Sequence, residues 1–96
     1  MNDNDRQLHA VIQGLVQGVG FRFFVVEVSS KLGLTGWVRN TFDGDVEVLA
    51  EGSREQLDQL ITRLQQGPRA AHVINVSIEW QAATGEFSDF RVRSSI

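Results

Sequence analysis

The pattern of apolar and polar positions along the chain predicts five strands and two helices. Alternating apolar side chains and the turn residues between them predict strands over residues 7–14, 35–42, 45–51, 73–81 and about 87–93. In the fourth strand, alternation places on one face Ile74, Val76, Ile78 and Trp80. Apolar residues three or four positions apart predict two helices, the first from Phe21, Val25, Val28 and Leu32, and the second from Leu57, Leu60, Ile61 and Leu64.

Turn and cap residues mark the ends of these elements. Gly33, followed by an apolar residue, predicts a left-handed stop to the first helix. Ser53 with Gln56 three positions later predicts a capping box at the start of the second. Asp43-Gly44 predicts a tight two-residue hairpin turn with positive φ at both residues. The element order is therefore β-α-β-β-α-β-β.

This order predicts an α+β fold, a two-layer ferredoxin-like sandwich with a five-stranded, mostly antiparallel sheet and two helices on one face. Each helix would join two parallel strands through a right-handed crossover, with a third strand between them. We expect residues 1–6 to be a flexible N-terminal tail and residues 7–96 to form a single domain. Because this fold carries many functions, the function has to be argued from a site.

Composition and charge narrow the class of protein. The chain has 96 residues, of which 42% are apolar and 22% charged, as in ordinary globular domains. No apolar run approaches the roughly 18 residues of a membrane-spanning helix. Cysteine is absent, which excludes disulfides and thiol catalysis, and the polar start of the chain does not read as a secretion signal, so we expect a cytoplasmic protein.

The net charge of −3 argues against nucleic-acid binding, which usually uses a basic surface. His9 and His72 have no partners at metal-ligand spacing, so no metal site is predicted. No apolar stripe is left over beyond the seven predicted elements, so we expect a monomer.

Residues 15–20 form a glycine-containing loop between the first strand and the first helix. Gly18 and Gly20 allow successive amide groups to converge, and such amides beside a helix N-terminus form an anion site. Arg22 would add a planar fork of donors suited to a phosphoryl group. The lysine and hydroxyl residue of nucleotide-binding P-loops are missing. Two interpretations remain open from the loop alone, a phosphate site or a tight turn whose glycines serve only the backbone.

Asn40 lies near the carboxyl end of the second strand. The first and second strands run parallel in the predicted topology, so this end lies at the sheet edge from which the loop emerges. Alternation places Asn40 with Val38 on the helix side, and Trp37 and Arg39 on the other. A side-chain amide both donates and accepts hydrogen bonds, which suits it to holding a water molecule. The alternative is an asparagine that only begins the following turn.

The chain resembles the acylphosphatase family over nearly its whole length. The resemblance rests on Ile12–Arg22, with the sequence IQGLVQGVGFR, and on Gly36–Gly52, with the sequence GWVRNTFDGDVEVLAEG. It implies hydrolysis of a small-molecule acyl phosphate to a carboxylate and inorganic phosphate, with no metal, cofactor or covalent intermediate. It also implies that Arg22 binds the phosphoryl group and that Asn40 positions the attacking water. The phosphate oxygens would be held by the backbone amides of Gln17, Gly18, Val19, Gly20, Phe21 and Arg22.

Other functions share parts of this pattern. Ferredoxin-like domains include RNA-binding modules, whose aromatic motif is echoed by residues 20–25, but here the segment falls on a loop and a helix. A non-catalytic phosphate-binding protein, or an accessory domain of a hydrogenase-maturation protein, would carry a similar loop. Those accessory domains belong to long chains, whereas this chain ends at residue 96, so we expect a free-standing enzyme. The composition and charge described above predict that it is cytoplasmic, without nucleic-acid or membrane partners. Nothing in the sequence identifies residues that grip the acyl group, so we expect low selectivity for it.

Overall fold

The computed structural model describes residues 4–96 and contains the predicted order of elements. The strands are β1 (Asp5–Leu15), β2 (Thr35–Asn40), β3 (Val46–Ser53), β4 (His72–Ala82) and β5 (Phe90–Val92). The helices are α1 (Phe21–Lys31) and α2 (Arg54–Gln66). Together the strands form one sheet in the order β4-β1-β3-β2-β5.

The strand directions give the ferredoxin-like arrangement that the sequence predicts. β3 lies between β1 and β2 and is antiparallel to both, so β1 and β2 run parallel to each other. β1 lies in the same way between β3 and β4. The edge strand β5 pairs in parallel with β2, which makes the sheet mixed. The carboxyl ends of β1 and β2 therefore meet at one edge of the sheet.

The core lies between the two helices and one face of the sheet. Alternate residues of the central strands are fully buried on that face, namely Leu8, Ala10, Ile12, Val38, Val46, Val48 and Ala50. The helices pack onto them through Phe21, Val25 and Val28 of α1 and Leu57, Leu60 and Leu64 of α2. Each large side chain of this kind stabilises the fold by roughly 1.5–3 kcal/mol through burial.

The predicted helix ends are confirmed. Gly33 has a φ of 76°, and the amide of Leu34 donates to Ser29 O at 2.9 Å, which closes α1. At the start of α2, the Ser53 hydroxyl accepts from the Gln56 amide at 3.1 Å. The Gln56 side chain accepts in return from the Ser53 amide at 3.0 Å, which completes the capping box.

The first strand is longer than the sequence pattern predicts. β1 begins at Asp5, and Asp5 and Arg6 pair with Ser53 and Gly52 of β3. These two residues of the expected tail are therefore part of the sheet, because β3 continues past its predicted end and offers them backbone partners. Of the rest of the expected tail, Asn4 lies in a turn, and residues 1–3 lie outside the described residues.

The turn between β2 and β3 is a three-residue loop, so the prediction of a two-residue turn is wrong. Thr41 pairs with Asp45 through a backbone hydrogen bond of 2.9 Å, and the Gly44 amide donates to Thr41 O at 3.1 Å. Gly44 has a φ of 93°, whereas no residue other than glycine within residues 4–96 has a positive φ, Asp43 included. A type I turn followed by a left-handed glycine produces this geometry.

A bulge in β4 reverses the predicted placement of Ile74. Gln13 pairs with Asn75 while Gly14 pairs with Val73, which leaves Ile74 as the extra residue. Alternation is interrupted there, so Ile74 is 73% exposed and Val73 packs against the core instead. Gly14 is required at the bulge, since a Cβ on it would lie 2.2 Å from His72 O.

The buried Ser29 hydroxyl of α1 has no hydrogen-bond partner within residues 4–96. Burying an unsatisfied hydroxyl is unfavourable, and alanine also has the higher helix propensity. We expect Ser29→Ala to raise the free energy of unfolding by about 1 kcal/mol, as measured by urea denaturation. Ser30→Ala, at an exposed position of the same helix, is the control and should shift it by less than about 0.5 kcal/mol. A Ser29→Ala protein less stable than the wild type would contradict this expectation.

Glu51 fastens the β4–β5 connection to the sheet. Glu51 is 4% exposed, and its carboxylate accepts hydrogen bonds from the Gln7 side chain at 2.7 Å and from both the amide and hydroxyl of Thr84 at 2.9 Å. The Gly85 amide donates to it as well, at 2.9 Å. Burial acts to raise the pKa of Glu51, but these hydrogen bonds outweigh it and hold the pKa below the ordinary 4.5.

Glu51 therefore links stability to pH. Because its pKa is lower in the folded chain, its ionised form stabilises the fold above the unfolded pKa, and this contribution is lost as the pH falls through the folded pKa. We expect the free energy of unfolding to fall below about pH 5, and Glu51→Gln to be less stable by about 1–3 kcal/mol at pH 7 with a shallower acid slope. Urea denaturation from neutral to acid pH measures both. The exposed Glu27→Gln is the control, and an unchanged slope in Glu51→Gln would contradict the link.

Candidate active site

The loop from Val16 to Gly20 carries the end of β1 into the N-terminus of α1. Gly18 and Gly20 have φ values of 73° and 79°, a left-handed conformation that favours glycine. A Cβ at either position would meet no atom within 4 Å. Glycine is therefore favoured there by the backbone conformation and not by a lack of space for a side chain. Gly20 is the N-cap of α1 and provides no side-chain cap. The first amides of the helix thus lack the partner that a capping side chain supplies.

This conformation leaves a run of amide donors unused. Within the described residues, none of the backbone N–H groups of residues 17–22 donates a hydrogen bond, and the first amide to do so is that of Phe24, to Gly20 O at 3.1 Å. These are the amides that the resemblance to the acylphosphatase family assigns to the phosphate oxygens. They lie at the positive end of the α1 dipole, where an anion is stabilised.

A cleft of about 360 Å³ opens beside the loop. Five of the residues singled out in the sequence line it, namely Gly18, Gly20, Phe21, Arg22 and Asn40. It is completed by Val16, Phe23, Val26 and Val92. The parallel run of β1 and β2 thus brings Asn40 to the loop. Gln17 and Val19 do not line the cleft, so the structure brings four of the six predicted phosphate-binding residues to it.

Arg22 lies in the first turn of α1 with an exposed side chain. Its guanidinium makes no hydrogen bond or ion pair with another residue in the described part of the chain. Arg39, a second arginine near this end of the sheet, faces away from the cleft and binds Glu47 at 2.6 Å. Arg22 is therefore the one cation among the described residues that line the cleft, and its fork of donors is unoccupied.

Asn40 closes the cleft from the sheet side. It pairs with Val46, and both residues lie on the helix-facing side of the sheet. Its Oδ1 atom is buried and has no hydrogen-bond partner among the described residues. Buried polar atoms are nearly always paired, and an unpaired one costs about 1–3 kcal/mol. The unpaired Asn40 Oδ1 lies beside the unused loop amides, so it is suited to accept a hydrogen bond from a ligand or a water molecule.

The side chain of Gln17 braces the loop, a contact that sequence reasoning missed. Its Nε2 donates to Thr41 O and to Asp45 O, both at 2.8 Å. These carbonyls belong to the turn that follows Asn40, so one side chain ties the loop to the strand end. The partners are 24 and 28 residues away, and no local pattern gives a signal for such a contact.

The open face of the sheet carries a separate polar cluster. Glu47 accepts from Arg39 and pairs with His9, both at 2.6 Å. Burial acts to raise the pKa of Glu47, but the hydrogen bonds and positive charge of these neighbours hold it below 4.5. Arg39 also lies 4.6 Å from the centre of the Trp37 ring. The side chain of Arg39 is therefore held on the open face of the sheet, away from the cleft.

Within residues 4–96, no three acidic or histidine side chains come close enough together to bind a metal ion. In the same range, neither helix combines the length and apolar character needed to cross a bilayer. The amide run and Arg22 suit a doubly charged phosphoryl group, and Asn40 faces it with an acceptor that a water molecule can use. The fold and site together define the class, a small α+β protein with a cleft whose donors suit a phosphoryl group and whose buried acceptor suits a water molecule.

Comparisons with known proteins give the family. The family model described as Acylphosphatase matches residues 8–92. An acylphosphatase from Pelotomaculum thermopropionicum is 50% identical over 84 residues, covering 88% of this chain and 91% of the relative. The crystal structure of acylphosphatase from Bacillus subtilis superposes with a TM-score of 0.89 at 34% identity, covering 92% of this chain and 98% of that one. Full-length HypF, solved in a phosphate- and nucleotide-bound form, contains a similar domain, with a TM-score of 0.85, 26% identity, and coverage of 95% of this chain and 12% of that one. The chain belongs to the acylphosphatase family.

Proposed function

We propose that this protein hydrolyses acyl phosphates to a carboxylate and inorganic phosphate by attack of water on phosphorus. The observation that carries the proposal is a meeting of three features at one cleft of the described residues. They are the unused amides of Gly18, Gly20, Phe21 and Arg22, the unpaired Arg22 guanidinium and the unpaired Asn40 Oδ1. An acyl phosphate is already activated, because its leaving group is a weakly basic carboxylate. Phosphoryl transfer from such a compound requires mainly positioning and charge stabilisation, which this cleft can supply.

The phosphoryl group is held by two kinds of donor. Its oxygens accept hydrogen bonds from the backbone amides of Gln17, Gly18, Val19, Gly20, Phe21 and Arg22. The Arg22 guanidinium adds a paired set of donors and a full positive charge. Donors fixed before the substrate arrives stabilise charge in the transition state without reorganising, and the brace from Gln17 to the β2–β3 turn helps to fix them.

The attacking water is held by Asn40, whose Oδ1 accepts one of its protons in a hydrogen bond. A bond forms from the water oxygen to phosphorus as the bond from phosphorus to the acyl oxygen breaks, and its electron pair leaves with the carboxylate. The other proton of the water passes to a phosphate oxygen of the substrate. No carboxylate or histidine lines the cleft within the described residues, so the chain itself offers no general base there.

Hydrolysis of benzoyl phosphate by the wild-type protein, with excess EDTA present, tests the proposal. We expect turnover that is unaffected by the chelator and releases inorganic phosphate and benzoate in equal amounts. A folded protein without turnover would contradict it. RNA binding is the less favoured function, because Trp37 on the open sheet face is 7% exposed and covered by Arg39 and Arg93, at 4.6 Å and 5.1 Å from its ring centre. A base would have no exposed tryptophan face to stack on.

Three further statements stay predictions from the sequence, namely that the protein is a monomer, that it works in the cytoplasm and that it has no nucleic-acid partner. The described residues of a single chain build the whole cleft, so the proposed reaction needs no second copy. Light scattering across a range of concentrations tests the oligomeric state, and cell fractionation tests the location.

A further inference from the structure

The cleft has two chemically different halves. One half is polar and holds Gly18, Gly20, Arg22 and Asn40. The other is formed by apolar side chains from three parts of the chain, Val16 of the loop, Phe23 and Val26 of α1, and Val92 of β5. The volume of about 360 Å³ is larger than a phosphoryl group needs, so the remaining space is bordered by these apolar side chains.

Two of these side chains are exposed to solvent at the mouth of the cleft. Phe23 is 72% exposed and Val92 is 50% exposed. Phe23 and Val26 are three positions apart and so lie on the same side of α1. Val92 pairs with Val38, two residues before Asn40, which places it beside the proposed water site. Single exposed apolar residues are ordinary, but here they converge on a site that already accounts for the phosphoryl group.

We propose that Phe23, Val26 and Val92 form the acyl subsite and that the enzyme prefers acyl phosphates with an aryl or bulky alkyl acyl group. This inference rests on the proposed hydrolysis, and it replaces the expectation of low acyl selectivity drawn from the sequence. An apolar acyl group leaves water when it packs against this wall, and its binding improves with its size. A dicarboxylic acyl phosphate would place a second negative charge against apolar surface. Arg22, the one cation among the described residues of the cleft, would already be occupied by the phosphoryl group.

The test compares benzoyl phosphate with acetyl phosphate in the wild type and in Phe23→Ala. We expect Phe23→Ala to lower kcat/KM for benzoyl phosphate by about tenfold and for acetyl phosphate by only about twofold. Inorganic phosphate should inhibit the variant as strongly as the wild type, because the polar half is intact. The matched control is Phe42→Ala, since Phe42 is 85% exposed and does not line the cleft.

A second variant reverses the chemistry of the wall. Val92→Lys should raise kcat/KM for succinyl phosphate by about two- to fivefold and lower it for benzoyl phosphate, because it supplies the missing cation. Equal losses on both substrates in Phe23→Ala, or no loss on either, would overturn the subsite while the hydrolysis stands. A wild type that hydrolyses none of the three compounds would overturn the proposed function itself.

Discussion

Arg22→Ala lowers kcat/KM for benzoyl phosphate by about 10³-fold or more, the largest effect expected of any single substitution in this chain. Removing one preorganised donor at a site of developing charge typically costs about 10²–10³-fold, and Arg22 supplies a full charge and a paired set of donors together. Its side chain is exposed and makes no hydrogen bond or ion pair with the described residues. The free energy of unfolding should therefore change by less than about 0.5 kcal/mol.

Two further variants separate the contributions of charge and geometry at Arg22 from the effect of removing any exposed arginine. Arg22→Lys keeps the positive charge but loses the planar fork, so we expect it to remain at least about tenfold below the wild type. Arg69→Ala removes an exposed arginine that does not line the cleft and should leave the rate unchanged. Steady-state kinetics and urea denaturation of all three proteins measure these effects. Near-normal turnover in Arg22→Ala would contradict the proposal that Arg22 binds the phosphoryl group.

Asn40→Ala lowers kcat by about 10²–10³-fold while the inhibition constant of inorganic phosphate changes by less than about threefold. The split is expected because, in the proposed mechanism, Asn40 acts on the water, whereas the loop and Arg22 hold the phosphate. The same substitution removes the buried, unpaired Oδ1. The folded protein should therefore lose little stability or gain some, because groups that serve function often reduce stability.

Asn40→Asp keeps the shape and an acceptor oxygen but places a negative charge beside the phosphoryl group. We expect it to weaken inhibition by inorganic phosphate, which Asn40→Ala leaves nearly unchanged. Asn75→Ala is the control. The side chain of Asn75, on β4, donates to Gln13 of β1 and to Ser77 of β4, and Asn75 does not line the cleft. Loss of phosphate binding in Asn40→Ala without slower turnover would show that Asn40 holds the phosphate and not the water.

The juxtaposition of Asn40 and the glycine loop is predictable because it follows from topology. Once β1 and β2 are parallel, their carboxyl ends share an edge, and strand alternation decides which face Asn40 occupies. The capping box of Ser53 and the left-handed stop at Gly33 are predictable for a different reason, since they depend only on residues within one turn of the helix.

Features that depend on distant partners are not predictable in this way. The bulge at Ile74 arises from pairing with Gln13 and Gly14, and the side chain of Ile74 itself gives no sign of it. Glu51 alternates like a solvent-facing strand residue but is buried because the β4–β5 connection folds over it. The brace from Gln17 and the position of Val92 at the cleft likewise require segments that are far apart in the sequence.

The most direct test of the account is the fate of the oxygen atom that water supplies. Benzoyl phosphate is hydrolysed by the wild-type protein in water enriched in oxygen-18, with EDTA present, and both products are examined by mass spectrometry. Attack on phosphorus at the loop and Arg22 predicts one labelled oxygen in the inorganic phosphate and none in the benzoate. Label in the benzoate would mean that water attacks the carbonyl carbon, and it would contradict the roles assigned here to the loop, Arg22 and Asn40.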